Sequence, residues 1–320
     1  AARAVIAALT HRPGLATLSA HDRVAARALV LERRAALLAL IIPPDTTAAL
    51  GQGRTANLVL ITDPVRYLQT VRVEIGLAEM CRRITAGAAV RVRDAADPLA
   101  PVAGNLGLVE AAGGAVERRG FNAFDLQVPG FAITFLLIGM LIGLALALID
   151  ERDGGTLARL QASAAPLYAT FLGKVIARFG VGFAQLAALF AVGWAVFGVS
   201  LGAHPLALLA PGAAIALAAA GFGLIVASAG RTRDAVLPVG AIVIMTMAAM
   251  GGCWWPIDFE PQWMQTVALA LPTTWAMRAF NDLMIRGLPA SSAILPTAVN
   301  LGFGILYAAT GALLARRRFA

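Results

Sequence analysis

Glu151, Arg152, Gly155, Thr156, Arg159, Leu160 and Lys174 crowd into one stretch, Asp150–Lys174, reading DERDGGTLARLQASAAPLYATFLGK. They assemble no bond-making constellation. Gly173-Lys174-Val175 lacks the upstream glycine-rich loop and the following hydroxyl residue of a phosphate-cradling G-x-x-x-x-G-K-[ST] run. The stretch lies between two long apolar runs, Pro129–Ile149 and Val175–Leu201. Charges and unpaired backbone groups cost several kcal/mol each in hydrocarbon, so it reads as an aqueous loop between two spans. Thr156 follows Gly154-Gly155 as an N-cap. Leu157, Leu160 and Ala164 then recur at helical spacing, with Arg159, Gln161 and Ser163 elsewhere and Pro166 as the stop. A short amphipathic helix is expected.

The other reactive side chains form no constellation. His11, His21 and His204 are scattered without ligand spacing. Cys81 and Cys253 make neither a metal site nor a disulfide framework. Asp258, Glu260 and Asp282 are acids, but no carboxylate falls inside an expected span, where a proton relay would need one. This argues against an ion-coupled carrier. A membrane enzyme acting on lipid would need a nucleophile, metal ligands or paired carboxylates, and none is grouped here.

Of 320 residues, 59% are hydrophobic and 14% charged. Soluble domains carry about 25% charged residues, so this composition is that of a membrane protein. The net charge of +8 is nearly all arginine, Lys174 being the only lysine. Nine of the eleven basic residues after Pro129 fall at expected cytoplasmic ends, a topology signal rather than a nucleic-acid footprint.

Residues 1–128 contain no run long enough to cross a bilayer. A helix over Asp22–Arg34 leads into an apolar strand, Ala35–Ile42. Pro43-Pro44-Asp45 ends the strand, and Asp45 caps a short helix to about Gly51. A second strand, Ala56–Thr62, closes at Asp63-Pro64, and a helix follows from Val65 to Ile84. Strands alternating with helices imply a small α/β domain. Residues 86–120, rich in Ala, Gly and Arg, give no readable pattern.

Residues 129–320 then supply five spans, at about 129–149, 175–201, 206–229, 236–255 and 294–315. Pro129 suits the first turn of the first span, and Gly139 and Gly143 are spaced for close helix contact. Basic residues at Arg152–Arg178, Arg231–Arg233 and Arg316–Arg318 mark the cytoplasmic side; the loop at Gly202–Pro205 has none. Residues 256–293 are too polar to span. In Trp275–Arg286, Ala276, Phe280, Leu283 and Met284 share one face, with Arg278, Asp282 and Arg286 on the other. Trp254, Trp255, Trp263 and Trp275 suit an interfacial belt, so an interfacial or re-entrant helical hairpin on the outer side is expected.

The run Glu151-Arg-Asp-Gly-Gly-Thr-Leu-Ala-Arg-Leu160, with Pro166 and then Gly173-Lys174, resembles the cytoplasmic loop of ABC-2 type exporter permeases of the multidrug-efflux kind. The match departs mildly, since two alanines separate Ser163 from Pro166. The stretch LLALIIPPDTTAALGQGRTANLVLITDP resembles the extracytoplasmic domain of the same family. So do the Val128-Pro-Gly-Phe131 start of the first span and Leu271-Pro-Thr-Thr-Trp275 before the last helix. The resemblance implies an all-α polytopic membrane protein: five transmembrane helices, an outer hairpin (256–293) and a small N-terminal α/β extracytoplasmic domain (1–128).

It implies a coupling helix in loop 150–174, docking on a separate ABC-type ATP-binding subunit through Glu151, Arg152, Gly155, Thr156, Arg159, Leu160 and Lys174. ATP and Mg would be bound by that partner, with no cofactor or metal in this chain. Pro256, Pro272, Trp275, Phe280 and Asn281 would belong to the outer gate. Phe131, Phe135, Gly139, Gly143, Met247 and Met250 would line the dimer interface and translocation path against a second permease subunit. The implied setting is the bacterial inner membrane, with the N-terminal domain outside, the C-terminus in the cytoplasm and room for a periplasmic adaptor. The family places a transmembrane helix before the outer domain, and this sequence shows none; either the chain is truncated at its start, which the missing Met favours and which is expected, or it is a five-span variant. A non-transporting receptor or assembly protein using the outer domain is the alternative, and it would not need the coupling-type loop.

Overall fold

The computed structural model describes residues 6, 16–52, 56–66, 69–70, 73–82, 106–112, 123–156, 159, 167–230 and 232–319. The chain divides into two units, Ala1–Gly120 and Phe121–Ala320.

In the first unit the Asp22 carboxylate accepts the Ala25 N–H at 2.6 Å and starts α1 (Arg23–Arg27), which widens into a π turn at Ala28–Glu32. Strand β1 (Leu38–Ile41), helix α2 (Thr46–Gly51) and strand β2 (Ala56–Thr62) follow. The Asp45 carbonyl takes the Ala49 N–H at 2.8 Å, which puts the start of α2 where the sequence placed it. Asp63 closes β2 by accepting the Val65 N–H on its carboxylate at 3.1 Å, and a single 3-10 turn, Pro64–Arg66, follows. Residues 73–82 are helical (α3).

A third strand, β3 (Leu106–Ala112), arises inside the stretch without a readable pattern. The sheet order is β1-β2-β3, with β1 antiparallel to β2 (Leu40 opposite Leu60) and β3 parallel to it (Leu60 opposite Glu110). A parallel neighbour demands a crossover, and α3 lies in that connection. Ala49, Ala56, Leu58 and Cys81 form a core with Leu40, Ile42 and Met80 against it. Cys81 is therefore a packing thiol, and burial pushes its pKa up.

The second unit holds, among the described residues, five helices long and apolar enough to cross a membrane: Phe124–Asp153, Ala169–Phe197, Pro205–Ala229, Arg233–Met250 and Ala290–Arg317. They belong to α4 (Ala123–Leu137, a π turn at Ile138–Ile142, then Gly143–Asp153), α5 (Leu167–Phe197), α6 (Leu209–Ala229), α7 (Arg233–Met250) and, after two short helices, α10 (Ile294–Phe319). The short helices are α8 (Gln262–Ala268) and α9 (Pro272–Phe280), the latter prolonged by a π turn at Asn281–Ile285.

Helices α4 and α6 form the core, with Leu136, Leu137, Leu141, Ala214, Ile215 and Ala218 all out of contact with solvent. On α10, Gly304 faces Leu217 and Gly311 faces Leu224, so small residues set the close α6–α10 approach. The outer faces of α5, α7 and α10 stay apolar and exposed at Ile176, Val181, Ile242, Ile305 and Leu313, as surfaces for lipid require.

Three sequence expectations are corrected. Helix α4 starts at Ala123, so Pro129 lies inside it rather than in its first turn. The charged Asp150–Asp153 ends α4 instead of opening a loop, and α5 begins at Leu167 and so already contains Lys174. The reason is length: the 31 residues of α5 measure about 46 Å against a hydrocarbon core of about 30 Å, so charged helical turns stand clear of it. Finally, α9 has no solvated polar face. Asp282 and Arg286 are 5% and 3% exposed and pair inside the fold, Arg286 Nη1 donating to Asp282 Oδ1 at 2.7 Å.

Candidate functional site

The charged end of α4 holds several of the residues that the family resemblance would assign to docking. Asp150 and Glu151 are adjacent on α4, yet their carboxylates reach different helices. Arg233 at the start of α7 pairs with Asp150, and Lys174 of α5 pairs with Glu151. One helix end is thus pinned to two neighbours by opposite charges. Glu151 and Lys174 are expected contacts of a partner subunit, but the structure engages both within the chain and leaves them half-buried. Arg152 remains at the surface, donating to Asp153 at 3.1 Å.

Helix α4 ends because Gly155 takes a left-handed conformation (φ +72°), which only glycine enters without cost. The Gly154 N–H returns to Asp150 O at 2.8 Å and the Gly155 N–H to Arg152 O at 3.1 Å. The Gly155 carbonyl then accepts the Arg159 N–H at 3.2 Å, the first bond of a new helical turn. That makes Gly155 the residue at the cap and Thr156 the first helical one, one position earlier than the sequence suggested. Arg159 is exposed. Leu157, Leu160 and the remainder of the expected amphipathic helix to Pro166 lie outside the described residues.

Above this end a polar seam joins α4 and α5. Arg178 Nη2 donates to Gly143 O at 2.8 Å, and Gln185 Nε2 to Phe135 O at 3.1 Å, on either side of the π turn in α4. A π turn disrupts the regular ladder, and side chains from a neighbouring helix re-satisfy carbonyls of that kind in an apolar setting. Gly139 and Gly143 face Gln185 and Arg178, so both belong to this contact within the chain. Phe131 and Phe135, by contrast, are 46% and 51% exposed on α4.

The opposite end is built around α9. Pro272 occupies its first turn, Thr273 Oγ1 donates to Met247 O at 2.7 Å, and Thr274 Oγ1 to Ala268 O at 2.6 Å. Trp275 Nε1 reaches Leu269 O at 2.8 Å, and Phe280 meets the edge of Phe190 at 5.0 Å. The buried amide of Asn300 on α10, oriented to satisfy both neighbours, donates to Pro272 O at 2.9 Å and accepts the Ala276 N–H at 3.1 Å. So Pro272, Trp275, Phe280 and Asn281 do share one element, while Pro256 opens a separate 3-10 turn, Ile257–Phe259. Met247 is buried beneath Thr273 and Met250 is half-buried. Sequence reasoning passed over Asn300, Gln185 and Asp125. Asp125, 3% exposed in the first turn of α4, accepts the Ser200 N–H at 2.8 Å. The available signal was a polar residue in an apolar run, which marks a tertiary partner.

Residues 100–285 match the family described as ABC-2 type transporter, more than half of the chain. The chain belongs to the ABC-2 type transporter family. Among its relatives is the linearmycin resistance permease protein LnrN of Bacillus subtilis, 27% identical over 197 residues, covering 61% of this chain and 51% of LnrN. The probable multidrug ABC transporter permease YbhR of Escherichia coli is 29% identical over 161 residues, covering 49% of this chain and 41% of YbhR. The chain therefore spans about half the length of these curated relatives, or less. As an ABC-2 family member with five apolar helices it is a multi-pass membrane protein of the permease type.

One carboxyl of this permease stands apart electrostatically. Glu260 is 7% exposed, and burial pushes its pKa up, opposed by a hydrogen bond from Trp255. A raised folded pKa means that the group favours folding while protonated and loses that contribution as pH rises through the folded value. Glu260→Gln, a neutral stand-in, should therefore melt above wild type at about pH 8. The gain should vanish near about pH 3, where glutamate is protonated in both states. Thermal unfolding in detergent at the two pH values checks this, and a gain independent of pH would refute it.

Proposed function

We propose that the chain is the membrane subunit of an ATP-driven exporter, moving a hydrophobic or amphipathic compound outward across the bacterial inner membrane. A separate ABC-type ATPase would dock at the 150–174 end, and a second permease copy would complete the path. Residues 1–128 would form the outer domain and the C-terminus would lie in the cytoplasm. Family membership supports the class, and the relatives named for multidrug and linearmycin resistance support an amphipathic cargo.

The observation that carries the coupling role is the pinned end of α4. A turn bearing exposed Arg159 leaves α4 directly beyond Asp150 and Glu151, which hold α7 and α5. A push on that turn is delivered to three spans together, which suits rigid-body transmission. The exposed apolar line of Phe131 and Phe135 on α4 offers the surface for the second copy.

The test is to express the full-length protein with an affinity tag, solubilise it gently and identify what co-purifies. An ABC-type ATPase should appear with wild type and fall severalfold with Arg159→Glu, while the permease itself still inserts. Wild type recovered without any ATPase would overturn the exporter reading in favour of a receptor. Undiminished ATPase with Arg159→Glu would remove Arg159 from the coupling contact.

A further inference from the structure

Residues Gly251–Met277 contain two acids, Asp258 and Glu260, and no lysine or arginine. The next basic residues along the chain are Arg278, which lies over the Trp275 ring at 5.0 Å, and Arg286, which pairs with Asp282. Within this acidic segment Glu260 is 93% removed from solvent, being 7% exposed. Its Oε1 accepts Trp255 Nε1 at 3.2 Å, and its Oε2 is buried with no hydrogen-bond partner among the described residues. A buried acceptor left without a partner costs about 1–3 kcal/mol, so its place in the fold asks for a ligand.

One indole, Trp255, meets this carboxyl directly, and a second, Trp254, adjoins the first. The rings of Trp254 and Trp255 are 5.9 Å apart at 70°, presenting faces nearly at right angles. Trp254 is fixed by Nε1 donating to Thr134 Oγ1 at 3.3 Å, and Trp255 by Glu260 itself. The Glu260 backbone is held too, its N–H on Ile257 O at 3.0 Å and its carbonyl taking Gln265 Nε2 at 2.8 Å. Trp255 is 39% exposed, so the group opens to the surface.

We propose that Glu260, Trp254 and Trp255 form a recognition site for an organic cation with an apolar body, of the quaternary ammonium or phosphonium class. Indole faces attract such cations through the ring quadrupole, and a desolvated carboxyl supplies the opposite charge. A metal ion is a poorer fit: among the described residues no three His, Cys, Asp or Glu side chains converge to hold one. Burial keeps the empty carboxyl inclined to the neutral form, so the arriving cation displaces its proton to solvent. The site discriminates by charge, and the inference stands apart from the ATP-coupling reading, so either can fail without the other.

The probe is tritiated tetraphenylphosphonium, measured by scintillation proximity on the purified full-length protein, with tetraphenylborate as the anion of the same shape. Saturable binding is expected, weakened about tenfold or more by Glu260→Gln, with no competition from tetraphenylborate. A second measurement needs no variant. Dicyclohexylcarbodiimide, which modifies buried protonated carboxyls, should label Glu260 in the wild type, and tetraphenylphosphonium should protect it where tetraphenylborate does not. Equal affinity in Glu260→Gln, equal competition by the anion, or labelling of Glu260 unchanged by the cation would each overturn the proposal.

Discussion

Gly130→Ala is expected to break the membrane unit where α4 crosses the chain leaving α7. A Cβ on Gly130 would stand 1.7 Å from Cys253 O and 2.6 Å from its carbonyl carbon. Those are backbone atoms, and no rotamer change clears them. The segment is also held in place: the Cys253 N–H bonds Ala248 O at 2.9 Å, and Trp254 Nε1 bonds Thr134, whose Oγ1 donates back to Gly130 O at 2.9 Å. Overpacking usually costs about 1–3 kcal/mol, and a clash between two pinned backbones belongs at the top of that range or above it. The control is Gly173→Ala in α5, where nothing beyond the local helix backbone lies within 4 Å of the added carbon. In a helix that change should be neutral or stabilise by about 0.5–1 kcal/mol. Thermal unfolding followed by size exclusion in detergent separates the two, and a Gly130→Ala protein that melts with wild type would refute the close crossing.

This glycine also measures what the sequence could tell. Val128-Pro-Gly-Phe131 was legible as the start of a span and as a family-like run, but not as a crossing point, because the crossing partner lies more than a hundred residues downstream. The five spans were legible for a simple reason: about twenty apolar residues in succession have few other uses. Their ends were not. A charge in sequence marks where hydrocarbon must stop, while a helix stops where its backbone bonds run out, and at α4 that point is Gly155 rather than Asp150.

The charged residues themselves were legible, and their partners were not. The family resemblance assigns Glu151 and Lys174 to a contact with another subunit, and only the packing of α4 on α5 shows that they pair with each other. The α/β elements before residue 86 were read from short apolar runs closed at Pro43-Pro44-Asp45 and Asp63-Pro64. Strand β3 was not: its sequence, LGLVEAA, owes its extended form to the parallel partner β2.

Arg286→Met should be among the most damaging single changes in the second unit, and Asp282→Leu combined with it should be less damaging. The spacing of the two residues, one helical turn apart, allows two readings with very different magnitudes. On a solvated helix face an i,i+4 pair contributes only about 0.3–0.5 kcal/mol. In the fold the two side chains are 4% and 7% exposed at 2.7 Å, and the π turn carrying them is closed by the Arg286 N–H on Asn281 O at 2.9 Å. Removing one member of a buried pair strands the other charge in a dry environment, at about 3–5 kcal/mol. Replacing both by apolar groups of similar volume removes the stranded charge, and such exchanges are often near neutral. Both residues have further interactions, so the double variant should recover most of the loss rather than all of it. The measurement is a double-mutant cycle on thermal or denaturant unfolding in detergent, with Arg278→Met as the comparison, since Arg278 rests on the Trp275 ring at a half-buried site. Losses of a few tenths of a kcal/mol for each single variant would return Asp282 and Arg286 to a solvated face, and additive losses in the double variant would dissolve the pair as a unit.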